Sequence, residues 1–117
     1  MVMRGDVFWL RFSGRGSEPS GRRPAVVIQH DRYNRSAIFT TIVAAIASNL
    51  RLADMPGNVR LARGEAKLPR PCVINVSQVV TIDKARLTEK LGALTLRKRQ
   101  ELVDSLALVF GPNIAAQ

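Results

Sequence analysis

Short runs of β-branched and aromatic residues, separated by turn sequences, occupy most of the first two thirds of this chain of 117 residues. The strongest runs are DVFWLRF at 6–12, PAVVIQ at 24–29, AIFTTIVAAIA at 37–47 and CVINVSQVVTI at 72–82. Such runs, bounded by Gly, Pro, Asn and Ser, are typical of β-strands. We expect the third strand to be long and bent. A weaker edge strand is predicted within 59–71.

The C-terminal part of the chain has a helical pattern instead. Apolar residues recur at helical spacing from Thr95 to Phe110, and Gly111-Pro112 ends the run. Thr95 and Asp83 are expected N-caps, the latter for one helical turn in DKARL.

The order of the elements, with the strands first and one substantial helix last, predicts a mostly-β fold with α. We expect a small, strongly bent antiparallel barrel with a C-terminal helix. We expect one domain over 1–117. Trp9 and Phe12 are expected in its core, the alternative being that they are platforms for base stacking.

The charge of the chain favours an anionic partner. There are 18 basic and 9 acidic residues, a net charge of +9, which suits nucleic acid or, as the alternative, an acidic protein. All ten basic residues from Met1 to Arg63 are arginine, the residue best suited to bidentate phosphate contacts; GC-rich coding is the other explanation.

Several classes of site are disfavoured by the residue types available. With one cysteine, Cys72, and one histidine, His30, the chain has neither an internal disulfide nor a His–His catalytic pair. We expect Cys72 to be buried and inert and His30 to be solvated, and we expect no metal or cofactor. The longest apolar run falls short of the about 20 residues of a membrane span, and no signal-peptide pattern is visible, so we expect a cytoplasmic protein with no membrane partner.

An arginine-rich segment is the first candidate for chemistry. The loop Ser13 to Arg23 is rich in Gly, Ser and Arg, and it precedes a rigid strand. An arginine fixed at that junction, Arg23, can neutralise the charge that builds up on a phosphate during in-line attack. The alternative is that Arg22 and Arg23 are a solvated loop pair.

The segment RGDVFWLRFSGRGSEPSGRRPAVVIQHDRYNRS resembles the N-terminal half of the MazF/PemK toxin family. The shared features are the Gly-Asp-Val start, the Gly-Ser-Glu loop and the Arg-Pro that opens the next strand. The later VINVSQVVTIDKARL is similar to the family's Gln-centred strand. The resemblance covers about residues 4–92.

The resemblance implies an SH3-like barrel that forms a homodimer and binds single-stranded RNA along the dimer surface. It implies a sequence-specific, metal-independent endoribonuclease of a toxin–antitoxin system. The ribose 2′-hydroxyl attacks the adjacent phosphorus and leaves a 2′,3′-cyclic phosphate and a 5′-hydroxyl. The partner would be a cognate antitoxin with an acidic, disordered tail.

The resemblance assigns transition-state charge stabilisation to Arg23, with a possible share in proton transfer that an arginine's high pKa disfavours. The family's second catalytic residue is usually a threonine, but here that position is Ala47. Ser48 is the candidate replacement. Strand alternation opposes this, because neighbouring residues face opposite sides, unless a bulge ends the strand.

For RNA contact the resemblance indicates five residues: Ser17, Glu18, Arg22, Asn34 and Gln78. Arg15 and Arg35 would flank them. Glu18 can accept from a base amino group, or it can be a solvated loop acid, and Gln78 can be a solvent-facing strand residue. Ser77 replaces an acidic residue common in relatives, which bears on base preference.

Two other functions stay open from the sequence. One is a relative that binds RNA or protein without catalysis, its chemistry lost with the threonine. The other is the gyrase-poisoning branch of the superfamily, for which the C-terminal GPNIAAQ gives no support.

Overall fold

A computed structural model describes residues 1–111. The strands are β1 (Asp6–Ser13), β2 (Ser20–Val27), β3 (Thr40–Ala47), β4 (Val59–Leu61), β5 (Cys72–Asp83) and β6 (Glu89–Ala93). The helices are the single turn α1 (Asp31–Asn34) and the long α2 (Leu96–Phe110). Short 3-10 turns span Leu50–Asp54, Glu65–Lys67 and Lys84–Arg86.

The six strands form one antiparallel sheet in the order β4-β5-β3-β2-β1-β6. Opposite β3, the strand β5 carries extra residues, because Ala44 pairs with Val79 whereas the next residue, Ala45, pairs with Asn75. Such a bulge bends its strand and increases the local twist. The curled sheet with a C-terminal helix confirms the predicted fold class.

Both faces of the sheet are buried, which explains why the strand runs are nearly continuously apolar. One cluster includes Val7, Ile46 and, from α2, Leu102. The other includes Phe8 and Phe12. Adjacent residues of β1 therefore enter different clusters, as alternation requires.

The segment after β4 packs against the other edge of the sheet. A Cβ on Gly92 of β6 would lie 2.5 Å from the carbonyl oxygen of Ala66. Ala66 and Lys67 have φ values of 51° and 61°, in the left-handed region that disfavours residues other than glycine. This backbone contact brings the β4 side of the sheet to β6.

Most of the predicted elements are confirmed, with shifted ends. The edge strand, the turn after Asp83 and helix α2 are present, and the Thr95 hydroxyl accepts from Lys98 N at 3.2 Å. Asp83 precedes its turn but makes no side-chain cap bond. Gly111 follows α2, whereas Pro112 lies outside the described residues.

Three elements differ from the prediction. β3 begins at Thr40, so Ile38 and Phe39 lie before the strand and their side chains are exposed. The strand β6 and helix α1 were not predicted. EKLGA lacks β-branched residues, and its partner strand β1 lies far earlier in the chain, with Trp9 paired to Glu89 and Asp6 paired to Ala93.

Candidate active site

The two adjacent arginines lie on a strand and not in a loop. Antiparallel pairing between β1 and β2 continues from Val26 back to Ser20, so the loop is shorter than expected and spans only 14–19. Arg23 Nε donates to the carbonyl oxygen of Ser20 at 2.9 Å. The side chain is thereby held at the end of the sheet, outside the buried clusters.

The strands β2 and β3 separate beyond the pair Ala25 and Ala45, and a cleft opens there. We name it the reaction cleft; its volume is about 380 Å³. Three arginines line it: Arg22, Arg23 and Arg70. Such a concentration of guanidinium groups favours a phosphate ligand.

Ser48 lines the reaction cleft together with Arg23. β3 ends at Ala47, and Ser48 is the first residue of the bend that follows, so strand alternation no longer fixes its direction. Ser48 is exposed and Ala47 is half-buried. This position is compatible with Ser48 as the replacement for the family threonine, which stays a prediction.

One wall of the reaction cleft is a stacked pair. The guanidinium carbon of Arg22 lies 4.4 Å from the ring centroid of Trp9, in the range of a cation–π contact. Arg22 Nη2 also donates to Glu89 Oε2 at 2.6 Å. Trp9 is therefore a half-buried wall residue, and the prediction that it lies in the core is wrong, whereas Phe12 is buried as predicted.

Sequence reasoning missed Arg70 and Glu89. Arg70 lies between two prolines just before β5, and Glu89 starts the unpredicted β6. Neither segment has a pattern that signals a site. For Arg70 the one hint in the sequence was its position between two prolines, because proline restricts the backbone next to it.

Three of the residues predicted to contact RNA meet in a second cleft of about 340 Å³, which we name the loop cleft: Ser17, Glu18 and Gln78. Gln78 Nε2 donates to the carbonyl oxygen of Ser17 at 2.9 Å. Glu18 Oε1 accepts from Ser13 N at 2.7 Å. That backbone bond, with help from Arg86 and Arg15, lowers the pKa of Glu18.

Asn34 is the exception among the predicted contacts. Its side chain is buried, donates to Gln29 O at 2.8 Å and accepts from the Thr41 hydroxyl at 2.8 Å. These bonds hold α1 against β3, so the side chain is not available at the surface, and we remove Asn34 from the predicted RNA contacts. Arg15 and Arg35 are exposed.

The two residues expected to be chemically inert have the predicted environments. Cys72 is buried, and burial raises the pKa of its thiol. His30 is exposed, and its Nδ1 accepts from Arg32 N at 3.0 Å. Within residues 1–111, no helix is both long and apolar enough to span a bilayer.

Comparison with known proteins gives consistent matches over nearly the whole chain. A family profile described as PemK-like, MazF-like toxin of type II toxin–antitoxin system matches residues 3–110. The chain is 44% identical over 111 residues to endoribonuclease MazF2 of Mycobacterium bovis, covering 94% of this chain and 97% of the relative. Endoribonuclease MazF6 of Mycobacterium tuberculosis matches with the same identity and coverage.

Solved structures share the fold. A mycobacterial endoribonuclease in complex with its cognate antitoxin has a TM-score of 0.77 at 19% identity, covering 97% of this chain and 98% of that one. MazF of Deinococcus radiodurans has a TM-score of 0.73 at 25% identity, with 93% and 96% covered. The resemblance predicted from the sequence, and with it the endoribonuclease class, is confirmed.

Proposed function

Because the chain belongs to the family of PemK-like, MazF-like toxins of type II toxin–antitoxin systems, we propose that it cleaves single-stranded RNA at the reaction cleft. The observation that carries this proposal is the position of Arg23. It lines an open cleft with two further arginines and the Ser48 hydroxyl, and it is fixed by a bond to its own strand.

The proposed reaction is a transphosphorylation that needs no metal ion. The 2′-oxygen of the nucleotide before the scissile bond attacks the adjacent phosphorus, and the bond from phosphorus to the 5′-oxygen breaks. The 2′-hydroxyl loses its proton and the leaving 5′-oxygen gains one, giving a 2′,3′-cyclic phosphate and a 5′-hydroxyl. Arg23 binds the non-bridging oxygens, where charge accumulates in the transition state.

A guanidinium group has five N–H donors and no acceptor, so we assign Arg23 to charge stabilisation and not to proton abstraction. Ser48 is proposed as a second donor to the phosphoryl group. Ala47 in place of the family threonine favours a second candidate function, an RNA-binding module with weak or no catalysis. The two candidates differ only in whether bound RNA is cut.

We propose that the loop cleft supplies sequence specificity. Single-stranded RNA presents its base edges to side chains, and the groups that meet here are a carboxylate, an amide and a hydroxyl. Glu18 uses one oxygen to hold Ser13 N, which leaves its other oxygen for a base amino group. Gln78 lies in the β5 bulge, which brings it to the loop.

We propose a homodimer formed through an apolar groove between α1, the sheet and the C-terminal end of α2. The groove has a volume of about 740 Å³, and its lining includes Tyr33, Ile38 and Phe110, which are 58%, 44% and 62% exposed. Exposed apolar patches of this kind mark association sites.

The proposed protein partner is a cognate antitoxin with an acidic segment that covers the basic clefts. The net charge of +9 would speed its capture, and such a segment would fold on binding. We propose that the toxin acts in the cytoplasm.

The test is to incubate the purified protein with mixed-sequence RNA in EDTA and to map the new ends. Cleavage with cyclic-phosphate termini is expected for the wild type and for Arg97→Ala, which removes one exposed arginine on α2, and not for Arg23→Ala. RNA binding without cleavage by the wild type would select the non-catalytic module.

A further inference from the structure

A separate cleft lies between β1 and β6, on the far side of the stacked pair from the reaction cleft. Its volume is about 350 Å³, and Trp9 and Arg22 line both clefts. We name it the β1–β6 cleft. Its other polar lining comes from Arg11, Arg86, Thr88 and Glu89.

The geometry of this cleft follows from strand register. Trp9 of β1 pairs with Glu89 of β6, so the two side chains share one face. Arg22, on the neighbouring strand β2, extends across the indole ring and reaches Glu89. The guanidinium plane is thereby held by a ring below it and a carboxylate beside it. A planar cation fixed in this way is a surface on which a base can stack.

Glu89 offers a further recognition group. Only its Oε2 is bonded to Arg22 among the contacts of residues 1–111, and the side chain is 60% exposed. The remaining carboxylate oxygen accepts hydrogen bonds and donates none, so it favours the exocyclic amino group of adenine or cytosine over uracil, whose one ring N3–H lies between two carbonyl oxygens that repel a carboxylate. Arg86, fixed by donation of Nη2 to Arg11 O at 2.6 Å, supplies positive charge for the backbone phosphate.

We propose that the β1–β6 cleft binds one unpaired nucleotide flanking the scissile bond, with the base stacked on the Arg22–Trp9 pair and an amino group read by Glu89. The inference rests on the proposed function in one respect, that RNA lies along this face. Arg22 then lines two clefts at once. Glu89, in β6, determines which base is bound and takes no part in the cleavage reaction.

The chain contains a single tryptophan, so Trp9 fluorescence reports on the two clefts that Trp9 lines, and dependence on Glu89, which lines only the β1–β6 cleft of the two, assigns the signal to that cleft. The probes are 2′-O-methylated hexamers of A, C and U, which bind without being cut because the nucleophilic hydroxyl is absent. Binding is followed by the anisotropy of a labelled hexamer and by Trp9 fluorescence. We expect quenching on saturation and about fivefold or tighter binding of the A and C hexamers than of the U hexamer.

Glu89→Gln is expected to reduce the ratio of the affinity for the A and C hexamers to the affinity for the U hexamer to near one, while Trp9 fluorescence is still quenched. Glu101→Gln makes the same chemical change on α2, at an exposed pair with Lys98, and is expected to keep the ratio. The proposal is overturned if saturating hexamer leaves Trp9 fluorescence unchanged, if no hexamer binds, or if Glu89→Gln keeps the wild-type ratio.

These outcomes are independent of cleavage. If unmodified RNA is cut while Trp9 fluorescence is unchanged, the proposed endoribonuclease is supported and this subsite is contradicted. Trp9 quenching with Glu89-dependent preference, in a protein that does not cut RNA, supports the subsite and contradicts the proposed reaction.

Discussion

Arg22 and Arg23 are adjacent in sequence but have different surroundings. Their partners across the hairpin are Arg11 and Leu10, on opposite faces of β1, so the two side chains leave β2 on opposite faces, although both border the reaction cleft. Arg22 is bonded to Glu89, whereas Arg23 is bonded to the backbone of its own strand. Arg23 therefore has no carboxylate partner among the described contacts to compete with a phosphate.

The role of Ser48 can be tested by moving the hydroxyl group from position 48 to position 47. If Ser48 donates to the phosphoryl group, Ser48→Ala lowers the single-turnover cleavage rate by about 10²-fold, the effect of removing one such donor. Ala47→Thr in the Ser48→Ala background is expected to recover part of that loss. An unchanged rate in Ser48→Ala would remove Ser48 from the mechanism.

Cys72 gives a prediction about pH. Its thiol pKa is raised in the folded state by burial, so folding favours the protonated thiol. This contribution is complete below the unfolded pKa of about 8.5 and is lost as pH rises through the raised folded value. Denaturant unfolding of the wild type should lose stability above about pH 8.5 more steeply than Cys72→Ala does. Equal slopes would contradict the buried position of the thiol.

At the scale of elements, the sequence predicted the strands and the helix whose residues show a local hydrophobic pattern. Strands β1, β3 and β5 and helix α2 have strong periodicity and were located from it. The ends of β2 and the existence of β6 depend on pairing with β1, a tertiary contact with no local signal. Arg23 and Ser48 could be indicated from motifs, whereas the bond between Glu89 and the stacked pair of Arg22 and Trp9 required the register of β6.

The contact between β6 and the Glu65–Lys67 turn predicts a large effect of one methyl group. Gly92→Ala would place Cβ against the backbone of Ala66, which cannot move as a flexible side chain could. We expect a loss of about 1–3 kcal/mol in unfolding free energy, measured by urea denaturation. Ala93→Ser, at the exposed next position, should change it by less than about 0.5 kcal/mol. Equal effects of the two would contradict the packing.

The β1–β2 loop is expected to loosen in acid. The pKa of Glu18 is lowered by its bond to Ser13 N, so this anchor is present above the ordinary carboxyl value of about 4.3 and is lost as pH falls through the lowered value. The protection factor of the Ser13 amide, which is its NMR exchange rate relative to the intrinsic rate at the same pH, should fall over that range. Glu18→Gln should remove the pH dependence; if it persists, another group anchors the loop.

At the scale of the whole molecule, the surface has two kinds of concave site, the clefts lined by arginine and the apolar groove. The reaction cleft and the β1–β6 cleft share one wall, and the loop cleft lies near them through Arg86, which acts on Glu18. Such a series of clefts suits an extended single strand. Among residues 1–111 the groove is lined by one arginine, Arg4, and we propose that another copy of the chain occupies it.

The homodimer can be tested with two apolar residues of α2. Phe110 lines the groove and is 62% exposed, whereas Leu96 is 78% exposed and lies outside it. Phe110→Ser is expected to weaken the dimer by about tenfold or more in sedimentation equilibrium, and Leu96→Ser to leave it unchanged. A monomeric wild type, or equal effects of both substitutions, would contradict the proposed interface.

The most direct test of the central claim is chemical rescue of Arg23→Ala. The substrate is an oligonucleotide with a single ribose at the site cut by the wild type, and the rate is measured in EDTA with and without guanidinium ion. The account predicts a loss of at least about 10²-fold, partly restored by guanidinium and not by equal sodium chloride. Cleavage by Arg23→Ala at the wild-type rate would contradict it.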